Sequence, residues 1–194
     1  MTITPTEIPE VLIVEPKRFG DHRGFFAETY SKAKFAEAGV ELDFVQDNHS
    51  RSASPGTLRG LHFQAPPRAQ AKLIRVVRGA ILDVAVDIRR DSPTYGRHVA
   101  VELSEENFRQ LLVPVGFAHG FVTRLPDTEV IYKVDDGYAP ETEGGLAWND
   151  ITLAIDWGVA GDQVVLSDRD RAWPSFDAFE TPFVYDQPHA GVTP

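Results

Sequence analysis

Gly56-Thr57-Leu58-Arg59-Gly60-Leu61-His62-Phe63-Gln64 sets a histidine two residues after a glycine and three after an arginine, inside a short apolar run. That composition reads as a strand carrying a catalytic side chain. Farther along, Pro114-Val115-Gly116-Phe117-Ala118-His119-Gly120 places a second histidine after a Pro-x-Gly turn. Two imidazoles on separate strands can therefore converge on one pocket. Outward from these stretches, short β-branched or aromatic runs alternate with Gly, Pro, Asn and Asp, the pattern of many short strands in a sandwich or barrel. The expected class is mainly β.

Between Lys72 and Ile88 a single glycine, Gly79, separates two apolar runs, which predicts two strands joined by a tight turn, with Asp83, Ala85 and Asp87 sharing one face by the period of two. The clearest helix runs from Ser31 to Ala38, with Ser31 placed to cap the first amides and Gly39 to end it. Ser104 is placed to cap a further helical turn over 104–108. Ser92-Pro93-Thr94-Tyr95-Gly96 and Tyr138-Ala139-Pro140 read as loops. After Trp173, prolines at 174, 182, 188 and 194 predict an irregular tail from about residue 174.

At 194 residues the chain fits one domain spanning 1–194, and a chain of this size buries roughly 70% of its unfolded surface, enough for one core. The net charge of −10 argues against nucleic acid or an acidic membrane as partner, because like charge repels. An anionic ligand would need local basic residues. No basic segment precedes an apolar core at the N-terminus, and no apolar run approaches the ~20 residues of a membrane span. Cytoplasm is the corresponding expectation. With no cysteine, disulfides, thiol catalysis and thiolate metal sites are excluded.

Cupins that bind metal take histidines and a glutamate from a His-x-His type motif and a further histidine from Pro-x-Gly-x-x-His. His119 ends the second motif and His62 opens the first, but two residues later stands Gln64, whose amide is a poor ligand for such metals. The expectation is no metal and no cofactor. Free of metal, His62 is the natural general base, since imidazole alone has an unperturbed pKa near neutrality. It needs an orienting carboxylate, and Leu166-Ser167-Asp168-Arg169-Asp170 offers aspartates, although by composition this is a solvated charged loop. Tyr132 lies in an alternating run that could point its phenol inward as a proton donor, against the commoner reading of a core tyrosine. Lys72 at a strand end could stabilise an enolate oxygen, against the commoner reading of a solvated lysine. Arg23, between glycines and beside Phe25 and Phe26, and Arg59, three residues before His62, are the candidate anion ligands.

Several motifs, in order, carry a family resemblance: Phe19-Gly20-Asp21-x-Arg23-Gly24-Phe25-Phe26, Gln46-Asp47-Asn48-x-Ser50, Leu58-Arg59-Gly60-Leu61-His62-Phe63-Gln64, Asp83-Val84-Ala85-Val86-Asp87-Ile88-Arg89, Gly116-Phe117-Ala118-His119-Gly120-Phe121, Trp148-Asn149-Asp150 and Leu166-Ser167-x-x-Asp170. From about Phe19 to Asp170 the chain resembles the dTDP-4-dehydrorhamnose 3,5-epimerase family. The resemblance implies a metal-free cupin jelly roll with a few short peripheral helices, acting as a homodimer on a dTDP-linked 4-keto-6-deoxy sugar. It implies His62 as base with Asp170 as its dyad partner, Tyr132 as the acid on the opposite ring face, and Lys72 at the carbon-4 oxygen. It also implies Arg23, Glu28, Gln46, Asp47, Asn48, Arg59, His119, Glu143 and Arg169 around the substrate, with Tyr138 stacking on thymine. At Arg169 the family is expected to carry lysine; arginine keeps the charge and changes the contact geometry.

Relatives of this family in antibiotic-sugar pathways invert one carbon with the same catalytic residues, so a single-carbon epimerase stands as the alternative to the double epimerase. Two other classes use the same residues. One is a metal-dependent cupin, motivated by His119 in its Pro-x-Gly context. The other is a pocket that holds a nucleotide sugar without turning it over. Candidates for base, acid and enolate stabiliser occurring together favour the enzyme, because a pure binder needs no opposed acid and base.

Overall fold

The computed structural model describes residues 1–185. Its strands form two facing antiparallel sheets. The six-stranded sheet runs in the order β1 (Thr2–Pro5), β2 (Leu12–Glu15), β11 (Gln110–Val113), β7 (Lys72–Arg78), β13 (Thr128–Val134), β5 (Gln46–Ser52). The five-stranded sheet runs β10 (His98–Ser104), β8 (Ala80–Asp87), β12 (Phe117–Thr123), β6 (Leu58–Gln64), β14 (Glu143–Gly145). From β5 to β8, and again from β10 to β14, successive strands change sheet, which is the jelly-roll sandwich expected for the class. A hairpin of β3 (Arg18–Asp21) and β4 (Gly24–Ala27) stands outside both sheets, and β15 (Phe183–Val184) pairs in parallel with β9 (Arg89–Arg90).

Gly79 joins β7 and β8 as anticipated, but the two strands do not pair with each other. The turn is a corner that carries the chain from one sheet to the other. Gly79 has φ +81°, and a Cβ there would lie 2.4 Å from Thr128 Oγ1, so only glycine fits. The near-continuous apolar run of β8 follows from burial on both faces. Ile81 and Ala85 point between the sheets with Ile74, Leu111, Phe117 and Val130. Val84 and Val86 point outward under Leu146, Leu153, Trp157 and Phe183. A third cluster, built by Phe35 and Val40 on Leu12, Val14, Leu73 and Leu112, covers part of the other sheet.

The helix is α1 (Lys32–Glu37), one residue shorter at each end than the sequence suggests; Gly39 ends it at φ +80°. Ser31 occupies the capping position in extended geometry, yet its side chain makes no capping bond. Over 104–108 the anticipated cap does form: Asn107 N–H donates to Ser104 Oγ and Ser104 N–H donates to Asn107 Oδ1, each at 3.0 Å. The tail departs from expectation. Phe176–Ala178 forms a 3₁₀ turn and β15 docks on β9, because Phe176, Phe179 and Phe183 find apolar partners on the outer face of the five-stranded sheet. Pro188 and Pro194 lie outside the described residues.

Candidate active site

Alternation along β6 would put Arg59 and His62 on opposite faces. A register irregularity prevents this: His119 pairs with His62 while Phe121 pairs with Arg59, so β6 carries one extra residue between them. Gly60 occupies the bulge at φ +129°, and a Cβ there would sit 2.5 Å from Gly120 Cα. Arg59 and His62 therefore both face inward, while Leu58, Leu61 and Phe63 pack outward. The same register sets the two imidazoles side by side on neighbouring strands.

Asp170 reaches His62 because the chain before it runs alongside the start of β6. Val165 N–H donates to Gly56 O and Leu58 N–H donates to Val165 O, both at 2.9 Å. Asp170 Oδ1 then lies 2.5 Å from His62 Nε2, and Ser167 Oγ donates to Oδ2 at 2.7 Å. An ionised carboxylate only accepts, so this contact fixes the Nε2–H tautomer and leaves Nδ1 free. Burial pushes the Asp170 carboxyl up, but donation from His62, Ser167 and the Gly60 amide outweighs it and holds the group below the usual carboxylate range. The segment is thus a built part of the site rather than a solvated loop. The Trp173 ring packs edge-on against His62 at 6.0 Å between centroids.

A cavity of about 430 Å³ opens between the sheets where polar residues replace the apolar layer. Arg59, His62 and His119 line its five-stranded wall, Lys72 and Tyr132 the six-stranded wall, and Arg169 and Asp170 the loop side. Base and phenol candidates therefore stand on opposite walls. Burial pushes the Lys72 ammonium down to about 8, against the supporting carboxylates of Asp83 and Glu143. Burial pushes the Tyr132 phenol up, opposed by Arg59 and reinforced by Glu143 and Tyr138, so the phenol keeps its proton at neutral pH.

A contiguous recess adds Gln46, Asn48, Tyr138 and Glu143. Glu143 Oε2 accepts from Tyr138 OH at 2.9 Å and from Arg169 Nη1 at 2.5 Å. Three residues named by the resemblance lie elsewhere. Arg23, 78% exposed, pairs with Asp21 at the tip of the β3–β4 hairpin, and Glu28 pairs with Lys34. The Asp47 side chain turns to the other face of β5, where it meets Lys133 at 2.8 Å, because its neighbours Gln46 and Asn48 take the inward positions. Other inward residues escaped the sequence reading. Ser50 follows from Asn48 by the period of two, and Ser167 stands within the motif that supplies Asp170. Gln64, where a metal ligand was sought, is buried and structural: Oε1 accepts from Ala139 N–H at 2.8 Å, and Nε2 donates to Arg68 O and Gly137 O.

Residues 5–178 match the family of dTDP-4-dehydrorhamnose 3,5-epimerases. The dTDP-4-dehydrorhamnose 3,5-epimerase of Shigella flexneri is 52% identical over 171 residues, 88% of this chain and 93% of that protein. A crystal structure of the Bacillus anthracis dTDP-4-dehydrorhamnose 3,5-epimerase with TDP and PPi bound is 51% identical, with a TM-score of 0.87 over 90% of this chain and 99% of that one. The Legionella pneumophila dTDP-6-deoxy-D-glucose-3,5-epimerase, in complex with dTDP-4-keto-L-rhamnose, is 44% identical with a TM-score of 0.91, covering 96% and 99%. No helix among the described residues is long and apolar enough to cross a membrane.

Proposed function

The chain belongs to the dTDP-4-dehydrorhamnose 3,5-epimerase family, and from that premise we propose that it converts dTDP-4-dehydro-6-deoxy-α-D-glucose to dTDP-4-dehydro-β-L-rhamnose by inverting carbons 3 and 5, with His62 and Tyr132 as opposed base and acid. The observation that carries this reading is the His62–Asp170 pair on one wall of the cavity and the buried phenol of Tyr132 on the other. His62 Nδ1 takes the proton from a carbon next to the ketone, and the released electron pair moves onto the carbon-4 oxygen. The Lys72 ammonium stabilises that oxyanion. Tyr132 gives its proton to the opposite face of the same carbon, which inverts it, and exchange with solvent resets both groups. Both carbons flanking the ketone react by the same steps.

Arg59 and Arg169 supply the local positive charge that a diphosphate needs on a protein of net charge −10. Gln46, Asn48, His119 and Glu143 surround the remaining polar groups, and the exposed ring of Tyr138 offers a face to thymine. Incubation of the substrate in heavy water tests the assignment. Deuterium is expected at carbons 3 and 5 of an inverted product; label at one carbon makes the chain a single-carbon epimerase, and label at neither overturns the reading. In Tyr132→Phe, turnover is expected to fall about 10²–10³-fold while deuterium still enters with retained configuration, since base abstraction survives and opposite-face delivery does not. Inversion at the wild-type rate would remove Tyr132 from the acid role.

The active species is a homodimer in the cytoplasm, each chain acting as one domain. Phe25 and Phe26 on the β3–β4 hairpin are 60% and 71% exposed, an apolar surface suited to a second copy. Arg23 and Glu28, remote from the cavity of their own chain, sit at the tip and base of this arm and would complete the partner's site. Sedimentation equilibrium should give twice the chain mass, and Phe26→Glu should give an inactive monomer; a monomeric, active wild type would dismiss the dimer.

A further inference from the structure

Two carboxylates, Asp83 and Glu143, support the Lys72 ammonium, and one is already occupied. Glu143 accepts from Arg169 and Tyr138. The other is Asp83 on β8, fully buried beneath the cavity wall. Its Oδ1 accepts from His119 Nε2 at 2.7 Å, while its Oδ2 is buried with no hydrogen-bond partner. A buried carboxylate oxygen left bare needs a compensating charge. Among the residues lining the cavity with Lys72, Arg59 and Arg169 repel its charge and the neutral Tyr132 phenol offers no counter-charge, and Asp83 supports it ahead of Glu143.

We propose that Asp83 is a positioning residue that divides its two oxygens between two groups of the active site, Oδ1 fixing the His119 ring and Oδ2 acting as the counter-charge that keeps Lys72 an ammonium. The inference rests on the epimerase reading for its consequence: Lys72 stabilises the enolate only while charged, so Asp83 acts on catalysis through Lys72 without touching substrate. Desolvation favours the neutral amine. As pH rises through about 8, the Lys72 charge is lost, and the basic limb of kcat/KM should fall there in the wild type.

The test titrates Lys72 itself by competitive labelling with trace acetic anhydride, read by peptide mass spectrometry, beside the pH profile of kcat/KM. In Asp83→Asn the Lys72 midpoint should drop from about 8 to about 7 or lower, with the basic limb moving alongside it. At neutral pH kcat should fall about 2-fold or more, in step with the fraction of Lys72 left charged, with KM nearly unchanged, and Asp83→Glu should restore part of it. An unmoved Lys72 midpoint overturns the proposal. If Asp83→Asn does not fold, His119→Ala supplies the second reading: removing the Nε2 donor from Oδ1 leaves the whole carboxylate to Lys72, whose midpoint should rise above the wild-type value, and no rise overturns the proposal. The labelling needs no substrate, so a failed epimerase reading would show as absent deuterium incorporation while the Lys72 titration still decided the role of Asp83.

Discussion

His62→Ala is expected to lower kcat/KM by about 10³–10⁴-fold, or about 4–5.5 kcal/mol of transition-state stabilisation, with the fold intact. The ring is part-exposed to the cavity, so truncation opens space where solvent already reaches and leaves the apolar layers undisturbed. What is lost is the free Nδ1, oriented by the 2.5 Å contact from Nε2 to Asp170. Asp170→Asn should follow in the same direction, since an amide can present its donor to the ring and select the wrong tautomer. Deuterium uptake distinguishes this base from two separate ones. One imidazole serving both carbons predicts that exchange at carbons 3 and 5 disappears together in His62→Ala. Persistence at either carbon would mean that a second base operates there.

The largest stability effect is expected at Asp87, well away from the chemistry. Its fully buried carboxylate accepts from Arg89 N, Nε and Nη2 at 3.0, 2.9 and 2.7 Å, and from Ser92 Oγ and Thr94 Oγ1 at 2.5 and 2.6 Å. Arg89 lies between the Phe117 and Tyr185 rings, 4.6 and 4.9 Å from their centroids, and also donates to Glu10 at 3.2 Å. The network ties the N-terminal loop, the 92–96 turn and the tail to the base of β8. In Asp87→Asn the guanidinium stays buried with Glu10 as its remaining carboxylate, which should cost about 3–4 kcal/mol and lower Tm by roughly 6–16 °C. Urea denaturation and calorimetry read this directly, with kcat at 25 °C unchanged. Burial pushes the Asp87 carboxyl up, but its donors outweigh that and hold it below the ordinary value. Its contribution is therefore full above the unfolded pKa and fades as pH falls through the lower folded value. A midpoint within 1 kcal/mol of wild type would show that the Arg89 charge is satisfied without Asp87.

The period of two, the glycine punctuation and the apolar runs were local signals, and they specified strands, a turn at Gly79 and the helix near Ser31 without help from the rest of the chain; that the turn is a corner between sheets was decided by pairing with other strands. The ordered motifs likewise contained His62, and the family resemblance they carry implied Tyr132 and Lys72. Other facts depended on contacts between segments far apart in sequence. Period two alone would have separated Arg59 from His62; the close packing of Gly60 on Gly120 put them on one face. Composition read Leu166–Asp170 as solvated, and only its pairing beside β6 turned Asp170 toward His62. The tail looked irregular because its prolines were visible and its apolar partners on the sheet were not. Asp83 was legible as sharing one face of its strand with Ala85 and Asp87, but its inward direction, its tie to His119 and its bare Oδ2 exist only once β8 lies beside β12. The sequence by itself determined the elements and the types of chemical group, because propensity and alternation act over a few residues. Tertiary structure decided which groups meet and with what charge, because burial and pairing are properties of strands brought together from across the chain.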